Sequence, residues 1–351
     1  MTLVYNDAGD PFGTHRSIEP RGALPQPAWR VDNDFSRLFA GELLLGVETL
    51  NVDAASFRQM EDGEGVADDV LIGRVKDTIN KRGKQHNPVT GSGGMLLGRV
   101  LAVHPKHPQA ASLAVGTRVA TLVSLSLTPL RVEEFSAVRR ESAQLDVRGE
   151  AVLFASGAFA KIPSDMPENL ALAVLDVAGA APQVTRLVNE GDHVLVLGAG
   201  GKSGILCCAE ARRKVGKSGR VVGIESHAPY AKDLDALGIC DAVVTADARD
   251  PVGTRDVALA ANDGREFDAS FLCVNVPDAE MSAILPVRQR GIAYFFAMST
   301  SFTKAALGAE GVGKDVDLYI GNGFAENHAD FSLAMMRDMP LVRALFEKRY
   351  A

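Results

Sequence analysis

The sequence predicts a two-domain α/β protein, with a β-rich first half and a doubly wound parallel sheet in the second. Three observations lead there. Short apolar or alternating runs broken by Gly, Pro and Asn fill the chain up to Pro163. Beyond it, short buried strands recur between longer amphipathic segments. The string HVLVLGAGGKSGILCCAEARRK places a strand, a glycine-rich turn and a helix in the order that a phosphate-binding unit requires.

Residues 1 to about 40 are rich in Pro and Gly and predict an extended lead-in with turns that wraps a domain surface. Next, ELLLGVETLNV (42–52), LLGRVLAVHP, VGTRVATLVSLSLTPL and AVLFASGAFAKIP read as strands, and DDVLIGRVKDTINKRGKQ between them carries apolar residues at helical spacing. After Pro163, PENLALAVLDVAGAAPQVTRLV predicts one helix. HVLVLG, RVVGIE, DAVVTA, ASFLCVNV and GIAYFFAM predict the parallel strands, ALGAEGVGKDV predicts a loop, and HADFSLAMMRDMPLVRALFEKRY predicts a helical C-terminus. The expected division is 1–160 and 161–321, with 322–351 packing back on the first domain.

The 351 residues carry a formal net charge of -7, so no broad basic surface is expected and nucleic acid is excluded as a partner. No run approaches a membrane span, and a cytoplasmic enzyme is expected. The four cysteines, Cys207, Cys208, Cys240 and Cys273, form no CxxC pair. They predict reduced, mostly buried thiols and no metal. A homodimer is the expected assembly, because an open sheet edge can pair.

In the glycine-rich turn, Gly198, Gly200, Gly201 and Gly204 let the backbone approach a pyrophosphate, and Lys202 and Ser203 open the helix. The spacing is GxxGxxG through Gly198, Gly201 and Gly204, because Ser203 stands where GxGxxG wants glycine. A Walker A reading fails at Val196, where GxxxxGKS needs Gly. Glu225, ending the next strand, is placed to accept from both ribose hydroxyls, which favours NAD, with NADP the alternative cofactor. Strand C-termini line the crevice of open parallel sheets, so Asn275, Val276 and Met298 join the cofactor candidates.

ELLLGVETLNVDAASF and NPVTGSGGMLLGRV resemble the medium-chain dehydrogenase/reductase superfamily, in which a GroES-like β domain precedes a Rossmann nucleotide-binding sheet. By that resemblance the usual zinc ligands fall on Asp53, on Ser92 and Gly93, and near Asp176, so a zinc-independent enzyme is implied. GTHRSIEPRGALPQPAW, NPVTGSGGML, ATLVSLSLTPL, LGAGGKSG, CVNVP and SFTKAALGAEGVGKDV further resemble the 3,5-diaminohexanoate dehydrogenase family within it. That resemblance implies NAD(P)-dependent oxidative deamination of a small diamino acid in lysine degradation.

Such chemistry needs a base for the amine and a pocket that combines acidic groups with an anion site. Asp53, Asp176 and Glu310 are the acidic candidates, against the plainer readings of a turn cap, a hydrogen-bonded buried carboxylate and a solvated loop residue. Arg16, next to His15, and Lys304 are the candidates for the substrate carboxylate, although such an Arg is more often an ion-pair partner. Thr90 and Ser92 are candidate hydroxyl donors to substrate. A quinone or enoyl reductase shares the fold and the turn without needing the carboxylates. A dinucleotide-sensing protein would bind without turnover.

Overall fold

A computed structural model describes residues 3–52, 54–61, 65–87, 91, 93–321 and 323–350. The chain divides into two compact units, Met1–Asp165 and Met166–Ala351.

The lead-in of the first unit is more regular than its composition predicts. It forms β1 (Val4–Asn6), β2 (Ser17–Glu19), β3 (Arg30–Val31) and β4 (Arg37–Phe39), which pair as β1 with β4 and β2 with β3. The main sheet comprises β5 (Leu43–Asn51), β6 (Met95–Val103), β7 (Arg118–Thr121), β8 (Leu130–Arg139), β9 (Gln144–Leu153) and β10 (Phe159–Lys161). Its order is β10-β7-β6-β5-β9-β8, antiparallel throughout. Leu43, Leu45, Val47 and Leu50 of central β5 are all buried. Two helices cover this core, α1 (Ala54–Met60) and α2 (Asp68–Arg82). In α2 the buried residues Leu71, Val75 and Ile79 fall four apart, one stripe of an amphipathic helix. Gly83 ends it in a left-handed conformation at φ 70°.

The second unit opens on α3 (Glu168–Leu175) and α4 (Ala180–Leu187), where one helix was expected. Pro182 explains the break. In a continuous helix its ring would meet the carbonyl four residues back, whereas in the first turn of a new helix no amide is needed. The two helices meet at a bend of 47°.

Then strands and helices alternate: β11 (His193–Leu197), α5 (Lys202–Val215), β12 (Arg220–Ile224), α6 (Ala228–Asp235), β13 (Ala242–Val244), α7 (Pro251–Ala261), β14 (Phe267–Leu272), α8 (Glu280–Ile284), β15 (Val287–Phe295), α9 (Phe302–Gly311) and β16 (Asp317–Ile320). The six strands are parallel in the order β13-β12-β11-β14-β15-β16. That order reverses between β11 and β14, and in doubly wound sheets the crevice at such a reversal, outside the strand carboxyl ends, is where ligands bind.

The C-terminal segment is α10 (His328–Asp338) and α11 (Pro340–Tyr350), broken where Pro340 starts the second helix. Both belong to the second unit, which corrects their expected assignment to the first. Ser332 Oγ donates to Ala178 O at 2.7 Å, tying α10 to the α3–α4 bend. All four cysteines are free. No single described helix is long and apolar enough to cross a membrane.

Candidate functional site

The turn after β11 is built by its own glycines. Gly198 has φ 75°, and a Cβ there would lie 2.6 Å from Val274 N. A Cβ on Gly204 would stand 2.1 Å from Gly198 O, a backbone atom with no freedom to yield. These two glycines are required by the fold itself. Gly201 differs, because a Cβ there would meet only Gly198 O at 3.6 Å, ordinary contact. Its missing side chain keeps open the face over the N-terminus of α5, where no side chain caps the helix. Uncapped amide groups beside an open backbone face make an anion cradle that an added Cβ would fill, and the pyrophosphate of a dinucleotide fits it.

Glu225 follows β12 and is 8% exposed. Its Oε2 accepts from Gly200 N at 3.0 Å and its Oε1 from His227 N at 2.9 Å. The carboxylate is thereby fixed against the turn, with a second lone pair on each oxygen for ribose hydroxyls. Gly200 is glycine because a Cβ would sit 2.9 Å from Glu225 Oε2 and 2.8 Å from Tyr230 Cβ.

Lys202, the first residue of α5, reaches back to Asp176 at the end of α3, with Nζ to Oδ2 2.7 Å. The structure thus brings Asp176 to the turn as the counter-ion of Lys202. Ser203 lies in the first turn of α5. Asn275 and Val276 follow β14 and grip the loop after β15. Asn275 Oδ1 accepts from Ser299 N at 2.9 Å, and Ser299 Oγ donates to Val276 O at 2.9 Å. Met298 on that same loop is 81% exposed. All of these residues stand at the carboxyl edge of the second sheet.

Two contributors escaped the sequence reading. Arg349, in the last turn of α11, donates to Gly200 O at 2.6 Å and to Asp233 Oδ2 at 2.8 Å, and its guanidinium lies 4.1 Å from the Tyr230 ring centroid. Tyr350 places its ring 5.5 Å from Lys202 Nζ. A basic residue closing an amphipathic helix reads as a dipole partner. Nothing local links it to a turn about 150 residues earlier in the chain.

Three expected site residues lie elsewhere or are already engaged. Arg16 is fully buried in the first unit. It donates to both oxygens of buried Glu42 at 2.8 Å, to Asp34 O at 2.7 Å, to Arg37 O at 2.8 Å and to Asp32 at 3.4 Å. Five N–H groups meet five acceptors, so no donor remains to grip a substrate. Burial pushes the Glu42 carboxyl up, but hydrogen bonds from Arg16 and His15 and the Arg16 charge outweigh it and hold the group below its ordinary value.

Glu310 lies in the last turn of α9 and not in a loop. Its neighbour Gly308 is a packing glycine, since a Cβ there would meet Met281 Sδ at 2.3 Å. Because α9 returns the chain from the carboxyl end of β15 to the start of β16, Glu310 stands at the opposite edge of the sheet from the glycine turn, exposed. That position removes it from the site. Lys304, in the first turn of α9, is paired with Asp278 on the surface. Asp53, Thr90 and Ser92 lie outside the described residues. Among the described residues no three His, Cys, Asp or Glu side chains converge as a metal-ligand group.

Residues 15–163 match the model of the L-erythro-3,5-diaminohexanoate dehydrogenase N-terminal domain. A protein of Acetoanaerobium sticklandii named L-erythro-3,5-diaminohexanoate dehydrogenase is 50% identical over 342 residues, 97% of this chain and 99% of that protein. One of the same name from Fusobacterium nucleatum is 47% identical over the same shares. Among solved structures, a mycobacterial protein complexed with NADPH superposes with a TM-score of 0.54 at 18% identity, over 89% of this chain and 90% of that one. A Pseudomonas syringae quinone oxidoreductase gives 0.53 at 16% identity, over 89% of each chain. At such identities the structural likeness establishes the fold alone.

Proposed function

The chain belongs to the L-erythro-3,5-diaminohexanoate dehydrogenase family, and from that premise we propose that it converts L-erythro-3,5-diaminohexanoate, water and NAD(P)⁺ into (S)-5-amino-3-oxohexanoate, ammonia, NAD(P)H and a proton. The place of this reaction is the degradation of lysine. The observation that carries the reading is a relationship of 50% identity that runs the length of both chains and includes the dinucleotide turn.

The bound nicotinamide supplies the acceptor for the hydride that leaves C3 of the substrate. The chain's own residues hold that cofactor. Backbone amides from Gly201 to Gly204 and the α5 N-terminus take the pyrophosphate, and Glu225 takes the ribose hydroxyls. A fixed carboxylate beside the ribose disfavours a 2′-phosphate, so NAD is the preferred cofactor. The amine at C3 must lose a proton before its C–H bond can give up a hydride, and water must then add to release ammonia. With Glu310 remote and the Asp176 carboxylate engaged by Lys202, Asp53 is the residue this reading assigns as base.

The test follows reduced-nicotinamide absorbance with the purified chain, the diamino acid and either NAD⁺ or NADP⁺. Turnover, faster with NAD⁺, is expected. Dinucleotide binding without turnover refutes the amine dehydrogenase reading. Oxidation of NADPH by quinones or enoyl thioesters instead would assign a reductase of the same fold.

A further inference from the structure

The cysteines of the second unit are brought together in pairs. Cys207 and Cys208 are neighbours in α5, so their side chains leave the helix about 100° apart and meet different partners. Cys207 Sγ lies 3.7 Å from Sγ of Cys273, the residue that follows β14. Cys208 is hydrogen-bonded to Cys240, which precedes β13. All four are free thiols.

The two pairs differ in what they touch. Cys273 N donates to Leu197 O at 2.8 Å, and a Cβ on Gly198 would come within 2.6 Å of Val274 N. The backbone of Cys273 and Val274 therefore packs directly on the first residue of the glycine turn. Cys207 belongs to the helix whose N-terminus forms the phosphate cradle, one turn beyond Gly204. Cys240, by contrast, enters β13 at the amino edge of the parallel sheet, whereas the turn lies at the carboxyl edge.

Exposure separates the roles within the first pair. Cys207 is buried and Cys273 is partly exposed. The Cys273 thiol, then burial, push the Cys207 thiol well above its ordinary value, so it stays protonated and is not the first to meet an oxidant. Tyr294 is also buried, and its hydroxyl has no hydrogen-bond partner among the described residues. Burial, then the Cys207 sulfur, raise that hydroxyl above its ordinary value, which sets it beside the pair. A donor left in this state is served by an oxygen added to a neighbouring sulfur.

We propose that Cys273 is an oxidation site with Cys207 as its resolving partner, and that a hydroperoxide converts the pair to a disulfide that weakens dinucleotide binding at the glycine turn. The Cys273 sulfur attacks the peroxide, the O–O bond breaks, Cys273 gains a sulfenic hydroxyl, and the first water leaves with the thiol proton. The Cys207 sulfur then attacks the Cys273 sulfur, and its proton departs with the hydroxyl as the second water. Two thiols are oxidised and one peroxide is reduced to two waters. A disulfide holds its sulfurs about 2.0 Å apart, so from 3.7 Å they must close by roughly 1.7 Å, a movement shared by α5 and the backbone of Cys273 and Val274, which together frame the turn. The inference rests on dinucleotide binding at this turn and is independent of the substrate.

In the experiment the full chain, reduced and freed of metal by a chelator, is treated with hydrogen peroxide, mapped by mass spectrometry without reduction, and titrated with NAD⁺ by fluorescence. The expected result is a cross-link between Cys207 and Cys273 with the loss of two hydrogens, a dissociation constant for NAD⁺ raised at least about tenfold, and recovery on adding dithiothreitol. Recovery separates the disulfide from oxidation of methionines such as the exposed Met298, whose repair needs a dedicated reductase. Cys273→Ser and Cys207→Ala are expected to bind NAD⁺ as the reduced wild type does and to keep that affinity in peroxide; if one fails to fold, the other carries the test. Cys208→Ala is expected to lose affinity in peroxide as the wild type does.

Oxidation that leaves Cys207 and Cys273 unlinked overturns the proposal. So does a cross-link with unchanged affinity, or an equal loss of affinity in Cys273→Ser. Failure of the reduced chain to bind any nicotinamide dinucleotide refutes the cofactor reading and the switch with it, whereas loss of the switch alone leaves both cofactor and reaction intact.

Discussion

Replacing Arg16 separates the role that the sequence suggested for it from the one the structure gives it. In Arg16→Met the side-chain volume is largely kept, the five hydrogen bonds vanish and the Glu42 carboxylate stays buried with only His15 and the Phe39 amide to hold it. Breaking a buried pair by removing one partner costs about 3–5 kcal/mol, because the surviving charge stays desolvated. For a unit of this size each kcal/mol lowers the melting temperature by about 2–4 °C, so differential scanning calorimetry should show a fall of about 6–20 °C. The double variant Arg16→Met with Glu42→Leu should recover much of the loss, since an apolar pair of similar volume no longer strands a charge.

The acid branch carries a sign. The native Glu42 carboxyl lies below its ordinary value of 4.5, so its contribution is complete above that pH and declines as the pH falls through the native value. In Arg16→Met the buried carboxyl has lost its main stabilising partner and protonates readily. The stability gap between variant and wild type should therefore narrow in acid. A melting temperature within about 2 °C of wild type, together with a large rise in KM for the diamino acid, would refute a structural Arg16 and return it to the substrate site.

Four further outcomes are expected. Gly201→Ala should fold with stability within about 0.5 kcal/mol of wild type and lose dinucleotide affinity by at least about tenfold in a fluorescence titration, whereas Gly204→Ala should be destabilised by several kcal/mol because its methyl meets Gly198 O. Glu225→Gln should weaken NAD⁺ and narrow its advantage over NADP⁺, read from kcat/KM for each cofactor; an unchanged ratio would show that the carboxylate serves the turn alone. Arg349→Ala should cost about 1.5–3 kcal/mol and raise the dissociation constant for dinucleotide, because the bond that steadies Gly200 O is gone. Asp53→Asn should abolish turnover without altering the melting temperature, and retained turnover would remove Asp53 as the base.

Much of the scaffold was legible because its signals are local. The alternation of strand and helix after Pro163, the apolar stripe of α2 and the strand, turn and helix around Gly198 each follow from residues close in sequence. The errors came where one residue type serves two ends. Pro182 and Pro340 looked compatible with long helices and instead start new ones. Gly308 looked like a loop residue and instead allows a helix to approach Met281, so Glu310 was assigned to a loop when it ends a helix at the far edge.

By itself the sequence determined the alternation of strand and helix in the second unit and the glycine turn with Glu225 beside it, because such a turn is written within about thirty consecutive residues. Tertiary structure alone decided which charges are available. Arg16 and Glu42 find each other across 26 positions, Asp176 and Lys202 also across 26, and Arg349 reaches Gly200 across 149. Whether a charged side chain binds substrate, holds a turn or neutralises a neighbour depends on which partner the fold brings within about 3 Å, since hydrogen bonds and ion pairs act over that range however far apart the partners lie along the chain.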